Sequence, residues 1–113
     1  MEEINNTEVL EEIEEGLKYD SGKLRWSLLP MEPIEQIVQI PEFGAKKYTD
    51  NSWQQLENGK QRYYDALQRH LYAHYTKKEK NDPESNLPHL SHALTNCMFL
   101  LYLELRDAHT DPI

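Results

Sequence analysis

Three polar side chains recur on one face of an otherwise apolar segment in the last third of the sequence. In NLPHLSHALTNCMFLLYLEL, residues 86–105, His89, His92 and Asn96 stand at positions i, i+3 and i+7. On a helix these side chains fall within an arc of roughly 60°. Imidazole and amide groups at such spacing can bind a metal ion or a ligand, or form hydrogen bonds between helices.

Five histidines in the chain make a metal site one possible chemistry. His89 and His92 could bind one ion, and His70 and His74 form a second pair at i, i+4. The nearest candidates for additional oxygen ligands are Asp65, Asp82 and Glu84. The alternative is that these histidines form hydrogen bonds across a helix interface.

A carboxylate pair offers another possible metal site. Glu32 and Glu35 form an ExxE pattern, and paired carboxylates of this kind are common Mg²⁺ ligands in helical hydrolases. The same spacing is also frequent on solvent-facing helices, so the pattern alone favours neither interpretation.

Cationic and aromatic side chains alternate over much of the chain. Cationic groups suit phosphates, and flat aromatic faces suit bases. The set comprises Lys18, Tyr19, Lys23, Arg25, Trp26, Lys46, Lys47, Tyr48, Trp53, Arg62, Tyr63 and Arg69. The alternative for Trp26 and Trp53 is a place in the core, which we expect for one of the two.

The hydrophobic pattern predicts an all-α domain, a small bundle of three to four main helices. Proline positions predict that one helix begins near Pro30 and ends at Pro41, with one further turn possible after it. Asp20-Ser21-Gly22 predicts a turn. The remaining helices are predicted at residues 7–16, 61–78 and about 86–108.

Apolar residues predict which helix faces pack inward. In the last helix we expect the core face to comprise Leu90, Ala93, Leu94, Cys97, Met98, Leu101 and Leu105. In residues 61–78, an apolar stripe comprises Tyr64, Leu67, Leu71 and Tyr75. The other side of that helix, with Ala66, His70 and Ala73, would allow a second helix to approach closely.

The charge of the chain is unevenly distributed. Of its net charge of −8, seven glutamates lie in residues 1–15, which leaves 13 acidic and 12 basic residues, a net of −1, in the rest. We therefore divide the chain into an acidic arm or short helix, residues 1–16, and an all-α domain, residues 17–113. Such a chain is a poor partner for long nucleic acid, whereas a small phosphorylated ligand needs only a local cationic pocket.

The remaining composition predicts a cytoplasmic protein. No apolar run approaches the roughly 18 residues of a membrane span, and the acidic N-terminus does not resemble a signal peptide. The single cysteine, Cys97, is predicted to be a small core residue in a reducing compartment. Because the domain is small, we expect homo-oligomers.

Four ordered segments together resemble a known family. KYDSGKLRWSLLP, FGAKKYTDNSW, RYYDALQRHL and DPESNLPHLSHALTNCMFLL are similar to the blocks of a largely phage-encoded family, the dATP/dGTP diphosphohydrolase N-terminal domain. That family is related to the all-α, MazG-like nucleoside triphosphate pyrophosphohydrolases. The resemblance covers roughly residues 18–103.

The resemblance implies positions for a functional site. The implied motif residues are Lys18, Asp20, Gly22, Lys23, Arg25, Trp26, Gly44, Lys47, Tyr48, Asn51, Trp53, Asp65, Arg69, His70, Glu84, Ser85, His89, His92 and Asn96. Two departures stand out: Asn86 replaces a usual glycine, and the ExxE and ExxD pairs that hold Mg²⁺ in MazG-like enzymes are not evident. If this chain is an enzyme, it would therefore need a different set of metal ligands.

The resemblance implies a phage nucleotide-binding protein that hydrolyses a purine dNTP to dNMP and pyrophosphate in the host cytoplasm, with Mg²⁺ or Mn²⁺. The implied catalytic residues are Asp65, His70, His89 and His92, and the implied metal ligands are Asp65, Glu84, His89 and His92. The implied nucleotide and phosphate contacts are Lys18, Lys23, Arg25, Trp26, Lys47, Tyr48, Asn51, Trp53, Arg69 and Asn96.

Two alternatives remain open at this stage. The first is a protein of the same fold that sequesters a cyclic or signalling nucleotide of host defence without turnover and needs no metal. The second is a purely structural or partner-binding helical protein, which would leave the Lys, Arg and Trp segments without a role.

Overall fold

Three α-helices and two short 3₁₀ helices make up the fold of the computed structural model, which describes Gly16 and residues 18–110. The helices are α1 (Met31–Lys47), α2 (Gly59–Tyr75) and α3 (His89–Thr110), and the 3₁₀ helices are Trp26–Leu28 and Ser52–Gln55. Within these residues there is no β-strand, so the predicted all-α bundle is confirmed. The predicted helix at 7–16 lies outside the described residues, apart from Gly16.

Helix α1 corrects the prediction that Pro41 ends a helix. The helix continues through Pro41 to Lys47, although a proline inside a helix removes one hydrogen bond and usually costs about 3 kcal/mol. Pro41 lines the same cavity as Trp53 and Met98. Tertiary contacts, such as the hydrogen bond between Gln36 of this helix and Ser91 of α3, hold the helix against the rest of the fold, and a single-sequence pattern does not contain that information.

Helices α2 and α3 pack antiparallel and enclose the main core. Tyr63, Phe99 and Leu103 are its buried members. Trp53 stacks on Phe99 with ring centroids 4.1 Å apart, and its carbonyl accepts a 2.6 Å hydrogen bond from the Tyr63 hydroxyl. One of the two tryptophans therefore packs against the core, as expected, whereas Trp26 is 71% exposed.

Helix α3 is rotated relative to its predicted orientation. Leu90, Leu94, Leu101 and Leu105 are exposed, and so is Cys97, which corrects its prediction as a core residue. The buried side combines apolar and polar side chains: His89, Ser91, Ala93, Thr95, Asn96, Phe99 and Leu103.

Hydrogen bonds explain how the polar side of α3 can be buried. The Ser91 hydroxyl donates to Oε1 of Gln36 on α1 at 2.8 Å, and the fully buried Thr95 hydroxyl donates to the Ser91 carbonyl. A buried polar group with a partner avoids a desolvation cost of roughly 1–3 kcal/mol. The polar side can therefore face its neighbours in place of the leucines.

Helix α2 presents its small-residue side to α3. Ala73 is buried, whereas Tyr64 and Tyr75 from the predicted apolar stripe are exposed. The predicted close approach on the alanine and histidine side is confirmed. Of the described helices, none is long and apolar enough to cross a membrane.

Replacing Leu103, which is 3% exposed, tests the packing of α3. We expect Leu103→Ala to lower the free energy of unfolding by about 2–5 kcal/mol, because it opens a cavity in the core. The matched control Leu24→Ala, at a residue that is 78% exposed, should change it by less than about 0.5 kcal/mol. Denaturant titrations of both variants measure the difference, and similar values would contradict the packing.

Candidate metal and nucleotide site

The connector between α2 and α3 folds back on itself and positions the site. The Asp82 amide donates to the Leu87 carbonyl and the Asn86 amide to the Asp82 carbonyl, both at 2.8 Å. Asn86 has a φ of 59°, a left-handed conformation that asparagine tolerates better than most residues. Asparagine therefore fits where the family usually has glycine.

Three histidines meet where the connector enters α3. Nδ1 of His70 on α2 lies 2.8 Å from Nδ1 of His89 on α3. The His70 ring also stacks on the His92 ring, with centroids 4.5 Å apart and planes 10° apart. The first turn of α3 and the middle of α2 thus converge on one cluster, which we call the histidine cluster: His70, His89 and His92.

Glu79 determines which nitrogens of His89 and His70 carry a proton. Its Oε1 lies 2.6 Å from Nε2 of His89, and a carboxylate can only accept, so this nitrogen carries a proton. When His89 is neutral, its Nδ1 has a free lone pair and accepts the proton on Nδ1 of His70. In this arrangement Nε2 of His70 is unprotonated.

Asp82 supplies a carboxylate beside the histidine cluster. Its Oδ2 accepts hydrogen bonds from the amides of Glu84 and Ser85, both at 3.0 Å. Partial burial acts to raise the pKa of Asp82, but the hydrogen bond from Ser85 and the neighbouring His92 and His70 lower it overall. Asp82 is therefore ionised at neutral pH.

Ser85 positions His92 on the other side of the histidine cluster. The Ser85 hydroxyl lies 2.7 Å from Nε2 of His92 and accepts a hydrogen bond from the Leu87 amide. Burial, together with the nearby His89, lowers the pKa of His92 despite the opposing effect of Asp82. Ser85 thus orients the ring, and burial favours its neutral form.

Burial is also the main influence on His70. Together with the neighbouring His92 and His89, it lowers the pKa of His70 from 6.5 to about 4. Asp82 acts in the opposite direction but does not outweigh burial. His70 is therefore neutral at pH 7, the protonation state that a metal ion or a transferred proton requires.

The geometry of the cluster fits a divalent metal ion. One ligand atom from each of His70, Asp82 and His89 lies within 4.8 Å of the others. The two Nδ1 atoms share one proton between them, and a metal ion could take the place of that proton. Two imidazoles with one carboxylate is a donor set typical of transition metals.

Two of the predicted metal ligands lie elsewhere. Asp65 is exposed on α2, and Glu84 forms a 2.8 Å ion pair with Lys47. Glu32 and Glu35 are exposed near the start of α1. Within the described residues, the three-ligand group consists of His70, Asp82 and His89.

Lys47 connects the end of α1 to the edge of the cluster. Its ammonium group binds Glu84, whose backbone amide binds Asp82. That hydrogen bond with Glu84 raises the pKa of Lys47, and the Phe43 and Tyr48 rings lie 5.6 and 5.5 Å from the ammonium group. Lys47 is thus linked to the candidate metal ligand Asp82 through Glu84.

The other predicted cations lie outside this cluster. Lys18, Lys23, Arg25 and Trp26 are all exposed in the segment before α1, which we call the basic segment, residues 18–29. Its predicted turn is confirmed by a 3.0 Å hydrogen bond from the Lys23 amide to the Asp20 carbonyl. Arg69, beside His70 in sequence, is exposed on α2.

Four further predicted residues lie in the segment after α1 and on α3. Asn51 and Trp53 line a cavity of about 370 Å³ between α1 and α3, together with Met98. Asn96 is buried, and its side-chain amide donates to the His92 carbonyl at 2.8 Å. Tyr48 follows Lys47 and is exposed.

Sequence reasoning missed Glu79. It lies ten positions before His89, in a polar connector without periodicity, so no spacing rule points to it. The connector brings it back to His89: its amide donates to the Ala73 carbonyl, and the His89 amide donates to the Lys80 carbonyl. Asp82 was considered only as one of three oxygen donors.

Comparison with known proteins identifies the family. The sequence profile described as dATP/dGTP diphosphohydrolase, N-terminal, matches residues 13–113. The chain belongs to this family. The match confirms the resemblance seen in the four sequence segments.

One relative of the chain is a protein of Salmonella phage PMBT28. It is named a dATP/dGTP diphosphohydrolase and is 33% identical over 88 residues, which cover 78% of this chain. The matched region is 29% of the relative, so the chain spans less than a third of that protein's length. No solved structure matches the chain significantly.

The low pKa of His70 predicts a pH-dependent stability. The folded protein favours neutral His70, whereas the unfolded chain titrates near 6.5. This contribution to stability is complete above about pH 6.5 and is lost as the pH falls toward 4. We expect His70→Gln to flatten the decline in unfolding free energy between pH 6.5 and 4.

Denaturant titrations at several pH values measure this decline. The control His109→Gln alters an exposed histidine near the end of α3 and should leave the slope unchanged. An unchanged slope in His70→Gln would show that His70 titrates alike in the folded and unfolded chains.

Proposed function

We propose that the chain is the nucleotide-binding domain of a metal-dependent dNTP pyrophosphohydrolase that releases dNMP and pyrophosphate. The observation that carries this proposal is the group of His70, Asp82 and His89, within 4.8 Å of one another in a chain of this family. The name of the phage relative supports a purine deoxynucleotide substrate.

The nitrogen and oxygen ligand atoms of the site indicate which ion it would hold. Mg²⁺ prefers oxygen ligands, whereas imidazole nitrogens suit transition metals. Two histidines and one aspartate therefore favour Mn²⁺ or a similar ion over Mg²⁺. When bound, a divalent ion offsets phosphate charge and lowers the pKa of an attached water.

Each residue around the metal ligands has a separate proposed role. Glu79 holds the proton on Nε2 of His89 and so directs Nδ1 of that ring toward the metal. Ser85 orients His92, whose neutral ring can accept a proton from water. Lys47 would exchange its Glu84 partner for a phosphate oxygen.

The cavity beside α1 is our candidate position for the base or sugar. Met98 follows His92 by six residues on α3, which places it roughly 9 Å along the helix axis. That axial distance is comparable with the distance from a nucleoside to its phosphates, and the two side chains stand about 120° apart around the helix. Trp53 and Asn51 at the cavity wall would contact the nucleoside, while Lys47 contacts the phosphates.

The basic segment would place positively charged side chains next to the bound phosphates. Lys18, Lys23 and Arg25 are exposed and close in sequence to Trp26, so they are available to a ligand. Asp65 and Arg69, which the resemblance places on motif positions, lie exposed on α2. Their role in ligand binding remains a prediction.

Product analysis tests the proposed reaction. The protein is incubated with a panel of dNTPs, NTPs and cyclic nucleotides, each with Mn²⁺ or Mg²⁺, and the products are separated by chromatography. We expect dNMP and pyrophosphate from dATP or dGTP, with faster turnover in Mn²⁺. Ligand that is depleted but recovered intact after denaturation would instead indicate sequestration without turnover.

Asp82→Asn tests the assignment of the metal ligands. The asparagine oxygen can still accept the amide hydrogen bonds of Glu84 and Ser85, so the connector should remain folded. Loss of the carboxylate charge should weaken Mn²⁺ binding at least tenfold in calorimetry and reduce kcat at least 100-fold. Wild-type Mn²⁺ affinity in Asp82→Asn would contradict this ligand set.

Arg25→Glu tests the role of the basic segment. Because Arg25 is exposed, the substitution should leave the melting temperature nearly unchanged. Reversing its charge should weaken nucleotide binding at least tenfold, measured by calorimetry with a non-hydrolysable dATP analogue. A large fall in melting temperature would show that Arg25 is structural instead.

A further inference from the structure

The face of α3 that points away from α1 and α2 is apolar. Leu90, Leu94, Leu101 and Leu105 are 40%, 42%, 58% and 57% exposed, and Cys97 lies exposed between them. These five residues, the leucine face, stand at i, i+4, i+7, i+11 and i+15. They therefore form one continuous stripe about 22 Å long on a helix.

The sequence of α3 indicates that this face is covered in the working protein. Residues 87–103 contain no Asp, Glu, Lys or Arg. A helix on the surface of a soluble protein normally has charged residues on its outer side, whereas one without them is enclosed. The described residues leave the leucine face uncovered, so its cover lies outside them or in another molecule.

The order of residues in the leucine face points to a second copy of the same chain. Leu94 and Leu101 lie equally far from the point midway between Cys97 and Met98, and so do Leu90 and Leu105. A two-fold axis through that point maps the four leucines onto one another when the helices run antiparallel. Such self-complementarity is what a two-fold symmetric interface requires.

We propose that the leucine face is a homodimer interface in which two α3 helices pack antiparallel. Leu94 of one protomer contacts the partner's Leu101, and Leu90 contacts the partner's Leu105. The two Cys97 residues lie close to the two-fold axis. Apolar residues spaced by three and four positions, as in the leucine face, fill the grooves between side chains of a facing helix.

The area and the charges of the stripe are compatible with this dimer. The exposed parts of the four leucines, counted on both copies, amount to roughly 750 Å², the size of a small interface. The antiparallel arrangement also places the negative end of each helix dipole beside the positive end of its partner. No like charges within residues 87–103 oppose the contact despite the negative net charge of the chain.

A charge placed in the leucine face should separate the dimer. Leu94→Glu and Leu101→Glu each alter an exposed residue, so both variants should remain folded by circular dichroism. We expect the wild-type chain to sediment as a dimer and both variants to sediment as monomers at micromolar concentration. The matched control Leu24→Glu, at a leucine that is 78% exposed outside α3, should remain dimeric.

Crosslinking at Cys97, the only cysteine of the chain, locates the two-fold axis. A short bifunctional maleimide should join wild-type protomers in high yield, and neither Cys97→Ser nor Leu101→Glu should crosslink. A wild-type monomer would overturn the proposal. In a monomer, a Cys97 protected from the maleimide would indicate that residues 1–15 cover the face, whereas a reactive Cys97 would indicate that the face is open. A dimer that persists in Leu94→Glu and Leu101→Glu would overturn it as well.

Discussion

The hydrogen bond between Nδ1 of His70 and Nδ1 of His89 fixes how α2 and α3 face each other. The His89 side chain is buried, and both ring nitrogens need partners. His70 supplies one partner and Glu79 the other. Rotating α3 to turn its leucines inward would remove both hydrogen bonds, so this contact orients the whole helix.

The orientation of α3 gives its two sides different roles. The inward side contains His89 and His92 of the histidine cluster, and the serine and threonine hydroxyls beside them are satisfied by Gln36 and by a backbone carbonyl. The outward side contains the leucine face. Placing the candidate metal ligands on one side and the proposed interface on the other allows each to be altered separately.

The sequence was sufficient to predict the approximate positions of the main helices and part of the candidate site. The fold class, the approximate positions of α2 and α3 and the turn at Asp20–Gly22 follow from periodicity, proline and glycine. The spacing of His89 and His92 on one face of α3 was also expected. These features depend on short-range geometry, which neighbouring residues in the sequence encode directly.

Tertiary structure determined what the local pattern could not. Helix α1 continues through Pro41 to Lys47, and its Gln36 is hydrogen-bonded to Ser91 of α3. Glu79 and Asp82 join the histidines because the connector folds back on itself. Hydrophobicity alone placed the leucines of α3 inward, yet the buried side is partly polar because its groups find partners on other segments. The sequence by itself determined which residues form helices, and the tertiary structure decided which of their faces are buried, since satisfying a buried polar group requires partners distant in sequence.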